Sequence, residues 1–189
     1  MTKRVLAIVI LLLALSGCAT TLHTIPTNFS LGGSEESIVI GHLIIDWGVK
    51  PIEFFDRHET MPLTVKNESS GKSYAIVCDE GGSDSRFFVV LPVGRYRISQ
   101  LVKGRNEWGG WLNPLGHFEV GAGQVVYIGA LKWVQSKLST TIIAGVLTGG
   151  HFFPGSLFVE DTYEEDAYSF RERYPHIDQQ IVKSIIKLE

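Results

Sequence analysis

The chain predicts a mainly β fold, an antiparallel β-sandwich accompanied by one or two C-terminal α-helices. Short runs rich in Val, Ile, Phe and Tyr recur between turn residues, and a helical spacing of apolar residues sets in only near Thr162. Strands at intervals of roughly 8–12 residues, joined by turns marked with Gly and Pro, belong to sandwiches and barrels.

Residues 37–45 are β-branched and apolar on both faces, which predicts a central strand covered by two layers. Further strands are predicted at 63–66, 73–78, 86–91, 95–102, 117–120 and 124–133. In Leu91-Pro92-Val93-Gly94 the proline has its φ preset and the glycine closes a type I turn, so a hairpin is expected. After it Arg95, Arg97 and Ser99 alternate with Tyr96 and Ile98, one face wet and the other buried. Val120-Gly121-Ala122-Gly123-Gln124 predicts a second hairpin.

Thr162 and Glu165 have the spacing of a capping box, and Glu164, Glu165 and Asp166 fall in a first turn, where the helix dipole favours negative charge. Tyr163, Ala167, Phe170 and Tyr174 then recur at helical spacing, with Pro175 as a stop. Ile177, Ile181, Ile185 and Leu188, with Val182 and Ile186 beside them, predict a second amphipathic helix. Both helices are expected to pack on the sandwich or cover an edge; the alternative is a C-terminal helix that binds a partner.

The first 17 residues read as a secretory leader. Lys3 and Arg4 form a positive start, residues 5–15 an apolar run, and Ser16 and Gly17 are small enough for a peptidase. Eleven apolar residues are too few for the roughly 20 that span a bilayer. The string Leu15-Ser16-Gly17-Cys18 resembles the lipobox of bacterial lipoproteins: Leu, then Ser or Ala, then Gly or Ala, then Cys. That resemblance implies diacylglyceryl transfer to the Cys18 thiol, cleavage before Cys18, acylation of the new amine with a fatty acid such as palmitate, and a membrane partner held through lipid. In such lipoproteins an Asp directly after the Cys commonly signals inner-membrane retention. Ala19 stands there instead, which implies the outer membrane with the domain facing the periplasm.

Residues 18–36, with Thr20, Thr21, Pro26, Asn28, Gly32, Gly33 and Ser34, lack a sustained period and are expected to form a lipidated N-terminus and flexible tether. Such a coil spans about 20–25 Å. The expected division is thus leader 1–17, tether 18–36, sandwich 37–161 and C-terminal helices 162–189.

Loss of Lys3 and Arg4 with the leader takes the formal charge from -3 to about -5. No basic run suited to a phosphate backbone is present, so nucleic acid is not an expected partner. Cys78 is the thiol left once Cys18 is acylated, and it reads as a small buried hydrophobe, with an intermolecular disulfide or a reactive thiol as alternatives.

The six histidines, His23, His42, His58, His117, His151 and His176, are scattered over loops and strands without HExxH or CxxC-type spacing. GxSxG and GxxxxGK[ST] are absent. No catalytic residue, metal ligand or cofactor is therefore assigned. Asp79, Glu80 and Asp84 lie beside Gly81 and Gly82 but lack an EF-hand pattern and read as a hairpin loop. Residues 141–147 are apolar yet far too few to span a membrane.

Trp108 and Trp111, flanked by glycines in a polar stretch, are the candidate contact for a glycan or protein partner; otherwise they plug the end of the sandwich. The expected role is a non-enzymatic binding or structural module of the cell envelope. The alternative is a cell-wall or glycan hydrolase whose acids, Asp46, Asp56 or Glu107, converge only in the fold.

Phe87-Phe88-Val89-Val90-Leu91-Pro92-Val93-Gly94-Arg95-Tyr96-Arg97-Ile98, followed by Phe118-Glu119-Val120-Gly121-Ala122-Gly123-Gln124-Val125-Val126-Tyr127-Ile128-Gly129, carries a second resemblance. It is similar to an uncharacterised family of bacterial lipoproteins and to the transthyretin-like or carboxypeptidase-regulatory-like β-sandwiches. There a Leu-Pro-x-Gly-x-Tyr turn precedes a Gly-x-Val-x-Tyr-Ile strand. These are turn and core positions, so the resemblance implies a fold and no chemistry.

Overall fold

The structure is a computed structural model and describes residues 19–33, 35–46, 62–78, 84–103, 106–108, 116–135 and 155–189. The strands are β1 (Thr20–Leu22), β2 (Glu36–Asp46), β3 (Pro62–Asn67), β4 (Ser73–Val77), β5 (Asp84–Pro92), β6 (Gly94–Lys103), β7 (Asn106–Trp108), β8 (Gly116–Val120), β9 (Val125–Gln135), β10 (Gly155–Glu160) and β11 (Ile181–Lys183). One helix, α1 (Tyr163–Arg173), lies between β10 and β11.

The strands form two sheets. The first runs β1-β4-β3-β6, and the far edge of β6 is shared by β8 along residues 94–98 and β7 along 101–103. The second runs β10-β9-β2-β5, and β9 likewise shares an edge, between β10 at residues 130–135 and β11 at 125–127. Both sheets are mixed rather than purely antiparallel: β1 runs parallel to β4, and β9 runs parallel to β2 and β11.

The inner faces make one core. Val39, Leu43, Phe87, Val89, Val126 and Ile128 of the second sheet meet Leu63, Val65, Ile76, Tyr96, Ile98 and Phe118 of the first. Full burial of each such aliphatic or Phe side chain contributes about 1.5–3 kcal/mol. Cys78 is buried in this core, as the sequence predicts for a small hydrophobe. Strand β2 is central and covered on both sides, as its apolar composition predicts: Val39 and Leu43 face the other sheet, while Ile38 and Ile40 belong to an outer cluster with Phe170 and Tyr174 of the α1 region. Opposite β2, β9 carries one extra residue, so that Ile40 pairs with Tyr127 but His42 with Ala130. Gly129 absorbs it at a φ of 96°, which keeps Leu131 on the same inner face as Val126 and Ile128.

Both predicted hairpins are instead arches between the sheets. β5 pairs with β2 while β6 pairs with β3, and β8 pairs with β6 while β9 pairs with β2. The turn residues reverse the chain as their chemistry requires, but hydrogen-bonding partners come from distant strands. The start of β2 ties the two arches together. Glu35 O accepts from Val93 N at 2.9 Å and Glu36 O from Gly123 N at 3.2 Å. Buried Ser37 donates its hydroxyl to Gly121 O and accepts from Gln124 N at 2.9 Å. Across the first arch, Tyr96 donates its hydroxyl to Pro92 O at 2.7 Å, the arrangement of a tyrosine corner.

Two expectations about the ends of the chain are corrected. The predicted tether is built onto the body: Thr20, Thr21 and Leu22 pair with Tyr74, Ala75 and Ile76. Ile25 is buried and its N–H donates to Phe88 O at 2.8 Å, with Phe29 and Leu31 packed against the outer cluster. These apolar residues, spaced too irregularly to signal an element, cover the flank of the outer cluster.

The second C-terminal helix is not formed. After a turn at Pro175 and His176 the chain becomes extended from Ile181, joining β9 through β11 and continuing with Ser184 N to Tyr127 O and Ile186 N to Ile128 O. It then crosses to the first sheet, where Lys187 and His117 exchange both backbone hydrogen bonds. Its isoleucines are β-branched, and the free edge of β9 offers backbone groups that a second helix would have left unpaired. Helix α1 itself follows the predicted register, with Phe170 buried and Tyr163 and Ala167 packed against the same outer cluster, which Tyr174 joins just past the helix end.

Candidate functional site

The densest polar cluster in the described residues lies under the start of α1, on the outer face of the second sheet. Strand alternation that sends Val39 and Leu43 inward turns His42 outward, and register places Arg86 of β5 directly beside it. Asp166, one turn into α1, lies on the same helix face as Tyr163 and Phe170 and is completely buried.

Three side chains converge on the Asp166 carboxylate. Arg86 Nε donates to Oδ1 at 2.8 Å, His42 Nδ1 lies 3.4 Å from the same oxygen, and the Thr162 hydroxyl donates to Oδ2 at 2.7 Å. Arg86 also reaches the exposed Glu165 at 3.6 Å. Tyr127 of β9 completes the cluster by accepting from Thr162 N at 2.7 Å. Burial by itself would raise the Asp166 pKa, but the hydrogen bonds from His42, Thr162 and Arg86 outweigh it and hold the carboxyl below its ordinary range. Burial raises the Tyr127 hydroxyl above its usual value, against the lowering effect of its bonds to Thr162.

The predicted capping box is therefore replaced. Thr162 makes no side-chain cap bond to the helix backbone, because its hydroxyl is spent on Asp166, and Asp161 accepts from Tyr163 N at 3.2 Å instead. A carboxylate that orients an imidazole can serve acid–base chemistry. Here the same carboxylate is held from β2, β5 and the helix start at once, so the cluster fastens α1 to the sheet in a single register. In the sequence Asp166 reads as a first-turn acid favoured by the helix dipole, with no sign of its partners. Its position three residues after Tyr163 and four before Phe170, inside the apolar stripe, is the available signal, as is the lone His42 within the apolar run from Ile38 to Ile45.

Among the described residues, the predicted site residues are divided between the two sheets. Cys18 and Trp111 lie outside the described residues, and so do Asp56, residues 79–83 and residues 141–147. Trp108 falls at the end of β7, paired with Leu101 at the edge of the first sheet. Asp46 pairs with Val134 in the second sheet, whereas Glu107 pairs with Val102 in the first. His117 faces Glu189 at 3.5 Å, and the His176 ring contacts Phe29 O at 2.7 Å, each far in sequence from His42. Among the described residues no three His, Cys, Asp or Glu side chains are grouped so as to hold a metal ion. No helix among them is long and apolar enough to cross a membrane.

No protein-family model, curated protein or solved structure matches the chain.

Proposed function

We propose that the chain is a lipid-anchored protein of the bacterial cell envelope, acting as a non-enzymatic binding or structural module on the periplasmic side of the outer membrane. The observation that carries the reading is the junction at Cys18. A charged and apolar leader ends in Leu-Ser-Gly-Cys, and the β-sandwich begins pairing at Thr20, two residues later. Leader and fold thus meet at the residue that the lipobox resemblance makes the lipid acceptor. Ala19 in place of Asp supports the outer membrane as address.

Metabolic labelling with a fatty acid tests the reading. Cys18→Ala should abolish the label and leave an uncleaved or misprocessed precursor, and undiminished label in that variant overturns the proposal. Trp108 and Trp111 remain the proposed contact for a glycan or protein partner. Replacing both by Ala should reduce capture of envelope components with little change in melting temperature, since exposed positions cost within about 0.5 kcal/mol. A double variant destabilised by many degrees would place the rings in the core and remove them as a contact.

A further inference from the structure

We infer that the sandwich lies directly on the bilayer, with the start of the first sheet and its cations Lys66, Lys72 and Arg97 against anionic phospholipid headgroups. This rests on the lipoprotein reading above and adds an orientation to it. Thr20 is fixed opposite Tyr74, and Cys18 precedes it by two residues. Two extended residues reach at most about 7 Å, so an acylated Cys18 leaves no slack for the domain to stand clear of the membrane.

β1 and β4 run parallel, so the chain entering β1 comes from the end of the sheet that holds the β3–β4 turn and Lys72. One residue toward that end from the Thr20–Tyr74 pair lies a cross-strand row: Ser73 pairs with Lys66, Lys66 with Arg97, and Arg97 with His117. Neighbouring Val65, Tyr74, Tyr96 and Phe118 enter the core, so Lys66 and Arg97 face outward, and Arg97 and Lys72 are exposed.

Two positive side chains set directly opposite one another are unfavourable unless something negative lies against them. Nearby Arg95 is answered by Glu68 at 3.2 Å and His117 by Glu189 at 3.5 Å, and Glu119 sits opposite Arg95. Lys66, Lys72 and Arg97 make no ion pair among the described residues. In a chain of net negative charge, these unanswered cations lie at the end where the anchor enters. Juxtamembrane Lys and Arg are drawn to anionic lipid within a Debye length of the surface.

The test uses the full, lipidated protein in vesicles of phosphatidylcholine and phosphatidylglycerol carrying a headgroup quencher. One fluorophore is attached at Ser69→Cys, in the exposed β3–β4 turn, and another at Glu172→Cys, on the helix beyond the second sheet. With the outward face of the first sheet, the face that carries Lys66 and Arg97, against the headgroups, the second probe lies behind two sheets stacked about 10 Å apart and stands well over 10 Å farther from the bilayer. The Ser69 probe should be quenched several-fold more than the Glu172 probe. Charge reversal by Lys66→Glu with Arg97→Glu should lower that ratio, with circular dichroism unchanged and the Cys18 lipid still in place. Equal quenching of both probes on a lipidated protein overturns the orientation. An unchanged ratio after charge reversal overturns the headgroup contact. Absence of lipid on Cys18 overturns the lipoprotein reading itself, and the orientation with it.

Discussion

Arg86 Nε donates to Asp166 Oδ1 at 2.8 Å, joining the second sheet to the helix that covers it. The carboxylate is fully buried, whereas the Arg86 side chain is 30% exposed, so water takes over part of the guanidinium's needs if its partner is lost. Asp166→Ala should therefore lower the unfolding free energy by about 2–3 kcal/mol, below the cost of breaking a wholly buried pair. For a chain of this size each kcal/mol corresponds to about 2–4 °C of melting temperature. A melt unchanged within a degree would remove the fastening role.

The same carboxylate sets an acid limit. Its folded pKa is held below the ordinary 3.8 by His42, Thr162 and Arg86 acting against burial. Stability from a depressed carboxyl is present above the unfolded value and is lost as pH falls through the folded one. The wild-type protein should thus lose stability below about pH 4, and Asp166→Asn should show a shallower loss over that range. Urea unfolding at neutral and acidic pH measures both slopes, and equal slopes would contradict the assignment.

Gly41 pairs with Phe87 across β2 and β5, and the ring lies over it. A Cβ at Gly41 would come within 2.2 Å of the ring's Cζ, so the ring must move. Gly41→Ala should cost about 1–3 kcal/mol through overpacking. Combined with Phe87→Leu, which vacates the space, the two losses should be clearly less than additive in denaturant unfolding. Strict additivity would mean that the ring moves aside freely.

Tyr96→Phe removes the hydroxyl that spans the first arch to Pro92. The loss should be about 1 kcal/mol, read as a lower denaturant midpoint with an unchanged slope. Retention of the wild-type midpoint would show that the arch holds without this bond.

Local pattern determined most of the elements. The two-sided apolar character of residues 37–45 became central β2, and the Tyr163, Ala167, Phe170 and Tyr174 spacing became α1 with its packed flank. These are readable because strand and helix periods are properties of neighbouring residues. The Leu15-Ser16-Gly17-Cys18 string, on which the proposed lipid anchor rests, is local in the same sense.

Tertiary structure alone decided which strands pair, and therefore whether Leu91-Pro92-Val93-Gly94 closes a hairpin or an arch. A turn's residues fix that the chain reverses, but the backbone groups of β5 and β6 are satisfied by β2 and β3, far away in sequence. The terminal isoleucines show the same limit. Ile181 enters the outer cluster and Ile186 the inner core, because the segment fills the edge of β9 and then bridges the two sheets. A spacing of four suits a helix face as well as it suits that path, and only the unpaired edge of a distant strand distinguishes them. Asp166 likewise reads only as a first-turn acid favoured by the helix dipole until β2 and β5 bring His42 and Arg86 beneath it, since burial of a charge is decided by the partners that the whole fold assembles.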